Sequence, residues 1–141
     1  DVMVALVIAI DPQLDFGQAR LRVNHAKLAV PGGTYYIPDV AILPAAAFGE
    51  PTDADLFHAP AMLVAENWSP STGAYDVNVK LPGYMARGDA EIWRVHPLER
   101  IVTRWVRMPD GRYQETTVGA GRIELAALPG VGVDLAGIFR R

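Results

Sequence analysis

Five apolar residues, Ala61-Met62-Leu63-Val64-Ala65, run without interruption and stop on a carboxylate, Glu66. A run this short and apolar at every position fits a central strand buried on both faces. Such a strand must be covered on both sides, which constrains the chain to a sheet with further layers packed on it. Val2–Ile10 is the longest apolar run. It reads as a helix that stops before Asp11-Pro12, because the residue preceding a proline avoids helical geometry. That run falls well short of the roughly 20 residues a membrane span requires. It also lacks the basic flank of a signal peptide, since only Asp1 precedes it.

The remaining pattern supplies more strands than helices. Residues 20–30 alternate imperfectly and read as a strand. Pro31-Gly32-Gly33 marks a turn, and residues 34–43, with two adjacent tyrosines, read as the next strand. Pro38 cannot donate a ladder hydrogen bond, so this strand is an edge, carries a bulge or ends there. Residues 44–59 mix Pro, Gly, Ala and acids and suit a surface loop. Ser69-Pro70-Ser71-Thr72 is rich in N-cap chemistry and opens a helical segment reaching Arg87. Pro82-Gly83 should kink or split that helix. Residues 91–96 follow as a strand, and 101–108 and 112–118 flank the turn Pro109-Asp110-Gly111 as a hairpin. Residues 134–140 read as a short closing helix. No repeat or linker interrupts this order, so the 141 residues are expected to form one α/β (α+β) domain around a mixed sheet.

Charge and cysteine content narrow the chemistry. Thirteen basic residues against sixteen acidic ones leave a net charge of −3. That excludes a strongly basic scaffold but leaves room for a local basic groove. Arg94, Arg100, Arg104, Arg107 and Arg112 supply candidates, although Arg104 and Arg107 would project from opposite faces of a regular strand. The absence of cysteine removes disulfides, thiolate metal clusters and cysteine nucleophiles together. His25, His58 and His96 lack the short spacings of zinc sites. Ser69 and Ser71 lack the Gly-x-Ser-x-Gly context of a nucleophile elbow. Gly119-Ala120-Gly121 is too short for a phosphate loop, and no nucleic-acid-binding module is recognisable.

Carboxylates and a lysine remain. Glu66 ends the buried run, where an open sheet meets solvent and sites are common; an acid simply pointing into water accounts for it equally well. Asp39, beside Pro38, is a turn former or a second carboxylate. Two acids from neighbouring strands can share a hard cation such as Mg²⁺, which binds one or two carboxylates and keeps several waters. Asp76, Lys80 and Tyr84 fall at i, i+4 and i+8 on a helix and share one face. A surface Asp–Lys pair has the same spacing.

Taken in order, these pieces resemble the Uma-type family of putative restriction endonucleases, within the PD-(D/E)XK nuclease-like superfamily. The resemblance rests on Ile37-Pro38-Asp39-Val40-Ala41-Ile42 and on Leu63-Val64-Ala65-Glu66-Asn67-Trp68-Ser69-Pro70-Ser71-Thr72. Asp76-x-x-x-Lys80-x-x-x-Tyr84 and Glu91-Ile92-Trp93-Arg94-Val95-His96-Pro97 follow. It implies a restriction-endonuclease-like mixed β-sheet flanked by helices, with Asp39 and Glu66 binding Mg²⁺ or Mn²⁺. Lys80 would take the catalytic lysine's role from the following helix, since position 68 is Trp. Asp76 and Tyr84 would orient the lysine or contact the nucleic-acid backbone. The implied reaction is hydrolysis of DNA phosphodiester bonds; beside it, a cytoplasmic setting is expected and a homodimer is a possible assembly. Family members carry a further N-terminal segment, so a chain opening on Asp1 is expected to lack it.

Three departures stand out: Asn67-Trp68 after the acid, Pro82-Gly83 between Lys80 and Tyr84, and His96 where the family has Asp. They fit an alternative, a catalytically degenerate nuclease-fold module for binding or assembly. Trp93 and Trp105 would then serve a dimer interface, although core packing is their default. A small-molecule hydrolase ranks last for want of a nucleophile motif.

Overall fold

The computed structural model describes residues 1–49, 56–69 and 79–140. In chain order its elements are helix α1 (Val2–Ile10) and strands β1 (Ala19–Val23), β2 (Lys27–Val30), β3 (Thr34–Tyr36), β4 (Val40–Pro44), β5 (Leu56–Phe57) and β6 (Leu63–Asn67). Helix α2 (Leu81–Arg87) follows, then strands β7 (Glu91–His96), β8 (Ile101–Arg107), β9 (Tyr113–Val118), β10 (Arg122–Glu124) and β11 (Gly132–Asp134), and helix α3 (Leu135–Ile138).

Six strands form the central sheet in the order β1-β4-β6-β7-β8-β9. Only β6 and β7 pair in parallel, which makes the sheet mixed. A parallel pair needs a crossover connection, and α2 lies on it. Alternation then assigns each residue to a layer. Val40, Ile42, Leu63, Ala65 and Trp93 pack with Leu6 and Ile10 of α1 and with Leu135 and Ile138 of α3. Ala41, Leu43, Val64, Ile92 and Trp105 face the other way and pack with Tyr84 of α2 and Leu28 of β2. The apolar run before Glu66 is therefore buried on both sides, and Trp93 and Trp105 are core residues.

Local signals set several boundaries where the sequence places them. Asp1 Oδ1 accepts hydrogen bonds from Met3 N (2.7 Å) and Val4 N (3.3 Å), capping α1. Strand β7 and the β8–β9 hairpin match their expected positions. Among the described residues no helix is long and apolar enough to cross a membrane.

Other expectations change. The strand read over 34–43 is two strands in different sheets: β3 pairs with β2, whereas β4 pairs with β1 and β6. Pro38 stands in the break. The strand read over 20–30 divides at Asn24, whose φ of 49° is left-handed. The loop read over 44–59 contains a 3₁₀ turn at Ala45–Phe48 and the short β5, parallel to β2. Pairing of the apolar run begins at Leu63 and continues through Asn67, while Ala61 N donates to Asp89 Oδ1 (2.7 Å). Helix α3 is shorter than expected: Asp134 pairs with β10 instead, and the helix ends at Ile138. The helical segment changes where Pro82-Gly83 enters it: Val79 and Lys80 form a π-helical turn and α2 runs from Leu81 with Pro82 in its first turn, while residues 70–78 lie outside those described. Gly83 has a different reason to be small. A Cβ there would lie 2.7 Å from the Tyr36 ring and 3.3 Å from Val30 Cγ1.

Candidate active site

Strand register brings Asp39 and Glu66 together. In the antiparallel β4–β6 pair Val40 lies opposite Ala65, so one step further Asp39 lies opposite Glu66. Asp39 itself precedes β4 and lines a cavity with Asn67 and residues of α1, whereas Glu66 lines one with Lys80 and Tyr84. Two hydrogen bonds fix the arrangement: Asp39 N donates to Glu66 Oε1 (3.2 Å), and Asn67 N donates to Asp39 Oδ2 (2.7 Å).

The other candidates converge on Glu66, which is only 8% exposed. Its Oε2 is ion-paired with the Lys80 ammonium and accepts the Tyr84 hydroxyl at 2.7 Å. Lys80 immediately precedes α2 and Tyr84 follows one turn later, so the i, i+4 spacing sets both over one carboxylate. Asp76 lies outside the described residues. Burial pushes the Glu66 carboxyl above its ordinary value of 4.5. The Lys80 charge and the hydrogen bonds from Lys80 and Tyr84 oppose that rise, and the neighbouring Asp39 charge adds to it.

Tyr36 is a member the sequence reading missed. Its ring meets Tyr84 edge-on at 5.7 Å and 79°, and Lys80 Nζ lies 5.9 Å from its centroid. The available signal was alternation in β3, where Tyr36 pairs with the buried Leu28.

The donor set fits a hard cation. Among the described residues no group of three or more His, Asp or Glu gathers to hold a metal. Two neighbouring carboxylates, completed by water and phosphate oxygens, are what Mg²⁺ ordinarily takes. Asp39 Oδ1 accepts no hydrogen bond from the described residues, and Glu66 Oε1 accepts only the backbone one. Asp39 and Glu66 are thus the residues that would hold it.

Residues 3–136 match the model of the Uma2 family, described as "Putative restriction endonuclease". The chain belongs to that family. A crystal structure of a putative nuclease belonging to DUF820 from Anabaena variabilis is similar over 97% of this chain and 75% of that one. The TM-score is 0.69 at 13% sequence identity, a likeness of fold. No curated protein matches the chain. The Uma2 resemblance and the mixed nuclease-like sheet read from the sequence are both found.

Within this Uma2-family fold the five candidate arginines separate. Arg104 projects to the opposite face and binds the fully buried Glu91 (Nε–Oε2 2.8 Å). Arg112 pairs with Asp110 (2.9 Å) at the exposed hairpin turn. Arg100 occupies the β7–β8 turn with φ 57°. Arg107 lies at the far end of β8. Arg94 alone pairs in register with Glu66, on β7. His96, two residues on, places Nε2 3.1 Å from Thr103 Oγ1 and its ring 5.4 Å from that of Trp68. Burial holds its imidazole below the usual 6.5.

Proposed function

We propose that this chain is a metal-dependent nuclease hydrolysing phosphodiester bonds of DNA, with Asp39 and Glu66 holding the cation and Lys80 assisting the attacking water. The observation that carries this reading is the placement of Asp39 directly across from Glu66, with Lys80 on the same carboxylate. Family membership supports it. Mg²⁺ or Mn²⁺, when bound, would supply Lewis acidity and lower the pKa of a coordinated water.

The protein's own groups divide the remaining tasks. Asp39 presents Oδ1 while Asn67 N holds Oδ2 in place. Tyr84, 1% exposed, is too deep to reach nucleic acid and instead orients Glu66 through its hydroxyl. Lys80 has three N–H donors, so beyond the bond to Glu66 it can donate to a water or a phosphate oxygen. Its side chain is 15% exposed, at the boundary between core and solvent. A cytoplasmic setting and a homodimer belong to the same proposal, the second open to light scattering.

The test is cleavage of DNA with and without Mg²⁺ or Mn²⁺, for the wild type, Glu66→Ala and Lys80→Ala. Metal-dependent cleavage lost in both variants is the expected result. Equal cleavage by all three proteins would overturn the assignment. One observation favours the alternative of a non-catalytic binding module: both Glu66 oxygens already accept donors. DNA binding without cleavage at any metal concentration would decide for it.

A further inference from the structure

We propose that Arg20 and Arg22 on strand β1 form a surface on which this chain docks the phosphate backbone of DNA. The inference rests on the nuclease reading for the partner alone and uses none of its cleavage chemistry.

Strand β1 is an edge of the central sheet. Ala19 and Leu21 pack toward α1, so Arg20 and Arg22 alternate to the other face, the one that Tyr84 and Glu66 occupy. Their guanidinium carbons stand 5.2 and 4.6 Å from the centroid of one ring, Phe48, and that of Arg20 also lies 3.8 Å from the centroid of Phe16. Phe48 is itself held edge-on against the core residue Phe57, with centroids 4.9 Å apart. Backbone carbonyls orient both side chains: Arg20 Nε donates to Phe16 O (3.3 Å) and Arg22 Nη1 to Leu21 O (3.0 Å). Neither guanidinium forms an ion pair among the described residues. Asp15, the acid nearest to Arg20 along the chain, accepts Gly17 N instead (3.0 Å).

Chemistry selects the partner. Two like charges gathered on one ring repel each other, and a polyanion relieves that repulsion where a neutral ligand does not. A guanidinium has five N–H donors, and each of these two gives one to a carbonyl. The planar fork that remains matches phosphate oxygens. Stacking on a fixed ring pre-orients the fork, so less side-chain freedom is lost on binding. Residues two apart on a strand stand about 7 Å from each other, which gives each fork its own phosphate. Register relates the pair to the acids: Arg22 lies opposite Ala41 and Ala41 opposite Val64, two residues before Glu66. Arg22 is thus about 10 Å across the sheet and about 7 Å along it from Glu66, a separation of a few nucleotides along a strand. Both side chains are half-buried at an open sheet edge, where a duplex can approach. A chain with a net charge of −3 depends on such a local basic surface more than a basic protein does.

The experiment follows binding of a short DNA duplex in Ca²⁺ from about 50 to about 200 mM salt, with cleavage measured separately in Mg²⁺. It compares the wild type with Arg20→Ala, Arg22→Ala, the double Ala variant, the double Lys variant (Arg20→Lys with Arg22→Lys) and Arg112→Ala. Urea midpoints check that each protein is folded. Each single Ala substitution is expected to reduce the slope of log K against log salt by about 0.9, and the double by about 1.8, as for one and two phosphate contacts. The double Lys variant keeps both charges without the forks, so it should keep the slope and bind more weakly. Arg112→Ala, which removes an exposed charge at the β8–β9 turn, should match the wild type. A wild-type slope in the double Ala variant, or a lost slope in the double Lys variant, overturns the docking surface and leaves the nuclease reading intact. The expected slopes without cleavage by any protein support the docking surface and overturn catalysis. No binding by the wild type overturns the docking surface, and cleavage in Mg²⁺ then decides the nuclease reading by itself.

Discussion

Glu66 on β6 and Glu91 on β7 stand on neighbouring strands and face opposite sides of the sheet. Glu91 is 0% exposed and its partners close around it. Oε2 accepts the Trp93 indole N–H (2.6 Å) and the Arg104 guanidinium (2.8 Å), and Oε1 accepts Ala126 N (2.8 Å). One carboxylate thus meets one matched cation, with both oxygens satisfied. Glu66 has a similar complement, one cation and one aromatic hydroxyl, but a second carboxylate stands directly across from it. Lys80 pairs with Glu66, and no ion pair of Asp39 is found among the described residues. The Glu91 cluster is fully buried, whereas Glu66 stands beside a second carboxylate at a partly open edge. That second carboxylate separates a candidate site from a structural ion pair, since burial alone is common to both.

Removing each acid tests the contrast most directly. Glu91→Ala should lower stability by about 3–5 kcal/mol, because it strands the Arg104 charge in a largely buried place; urea titration reads this. Glu66→Gln should behave in the opposite sense. Cleavage should fall on the order of a thousandfold, the scale of several kcal/mol of lost charge stabilisation. Its unfolding midpoint should stay close to that of the wild type. A Glu66→Gln protein that unfolds as readily as Glu91→Ala would erase the distinction.

Smaller changes probe what holds the site cluster. Gly83→Ala forces the Tyr36 ring away from Tyr84 and Lys80. It should lower stability by about 1–3 kcal/mol, the range for overpacking, with a matching loss of cleavage. Tyr84→Phe keeps the ring packing and removes the hydroxyl bond to Glu66, a loss of about 1 kcal/mol in a thermal melt. The smallest effect is in pH. Burial raises the folded-state pKa of Glu66 above its ordinary 4.5, so the native state binds that proton more tightly than the unfolded chain. Stability contributed by Glu66 is therefore fully present below about pH 4.5 and declines as pH rises toward the folded value. Wild-type stability should fall relative to Glu66→Gln over that rise, as urea midpoints at successive pH values will show.

Much of the fold was legible because its signals are local. Asp1 caps α1 and Pro109-Asp110-Gly111 announces the hairpin, whereas Asp11 keeps helical angles (φ −54°, ψ −43°) despite preceding Pro12, and the chain winds on as a 3₁₀ turn to Gln13. The failures have one physical source. Residues 34–43 have strand propensity throughout, and nothing local says that Tyr36 pairs in one sheet and Val40 in another. Pro82-Gly83 reads as a helix breaker, and the α-helix does begin at Leu81, but nothing local says that Tyr36 presses on Gly83. The site followed the same division. Family resemblance named Asp39, Glu66, Lys80 and Tyr84 by residue type and order. Their meeting depends on which strands are neighbours, a long-range fact. Arg94 was visible only as one of several basic residues until the β6–β7 register set it apart.

The register between β4 and β6 also determines which accidents of descent this chain can survive. Pairing, and not the length of the connection, holds Asp39 opposite Glu66. Residues added or lost between Ala45 and Met62 leave that alignment untouched, and lengthening a loop costs little in closure entropy. A single residue inserted between Val40 and Leu43, or between Leu63 and Ala65, reverses the alternation beyond it and turns one carboxylate away from the other. Insertions will therefore be tolerated by position in the ladder, with the harmful ones confined to a few residues that touch no substrate.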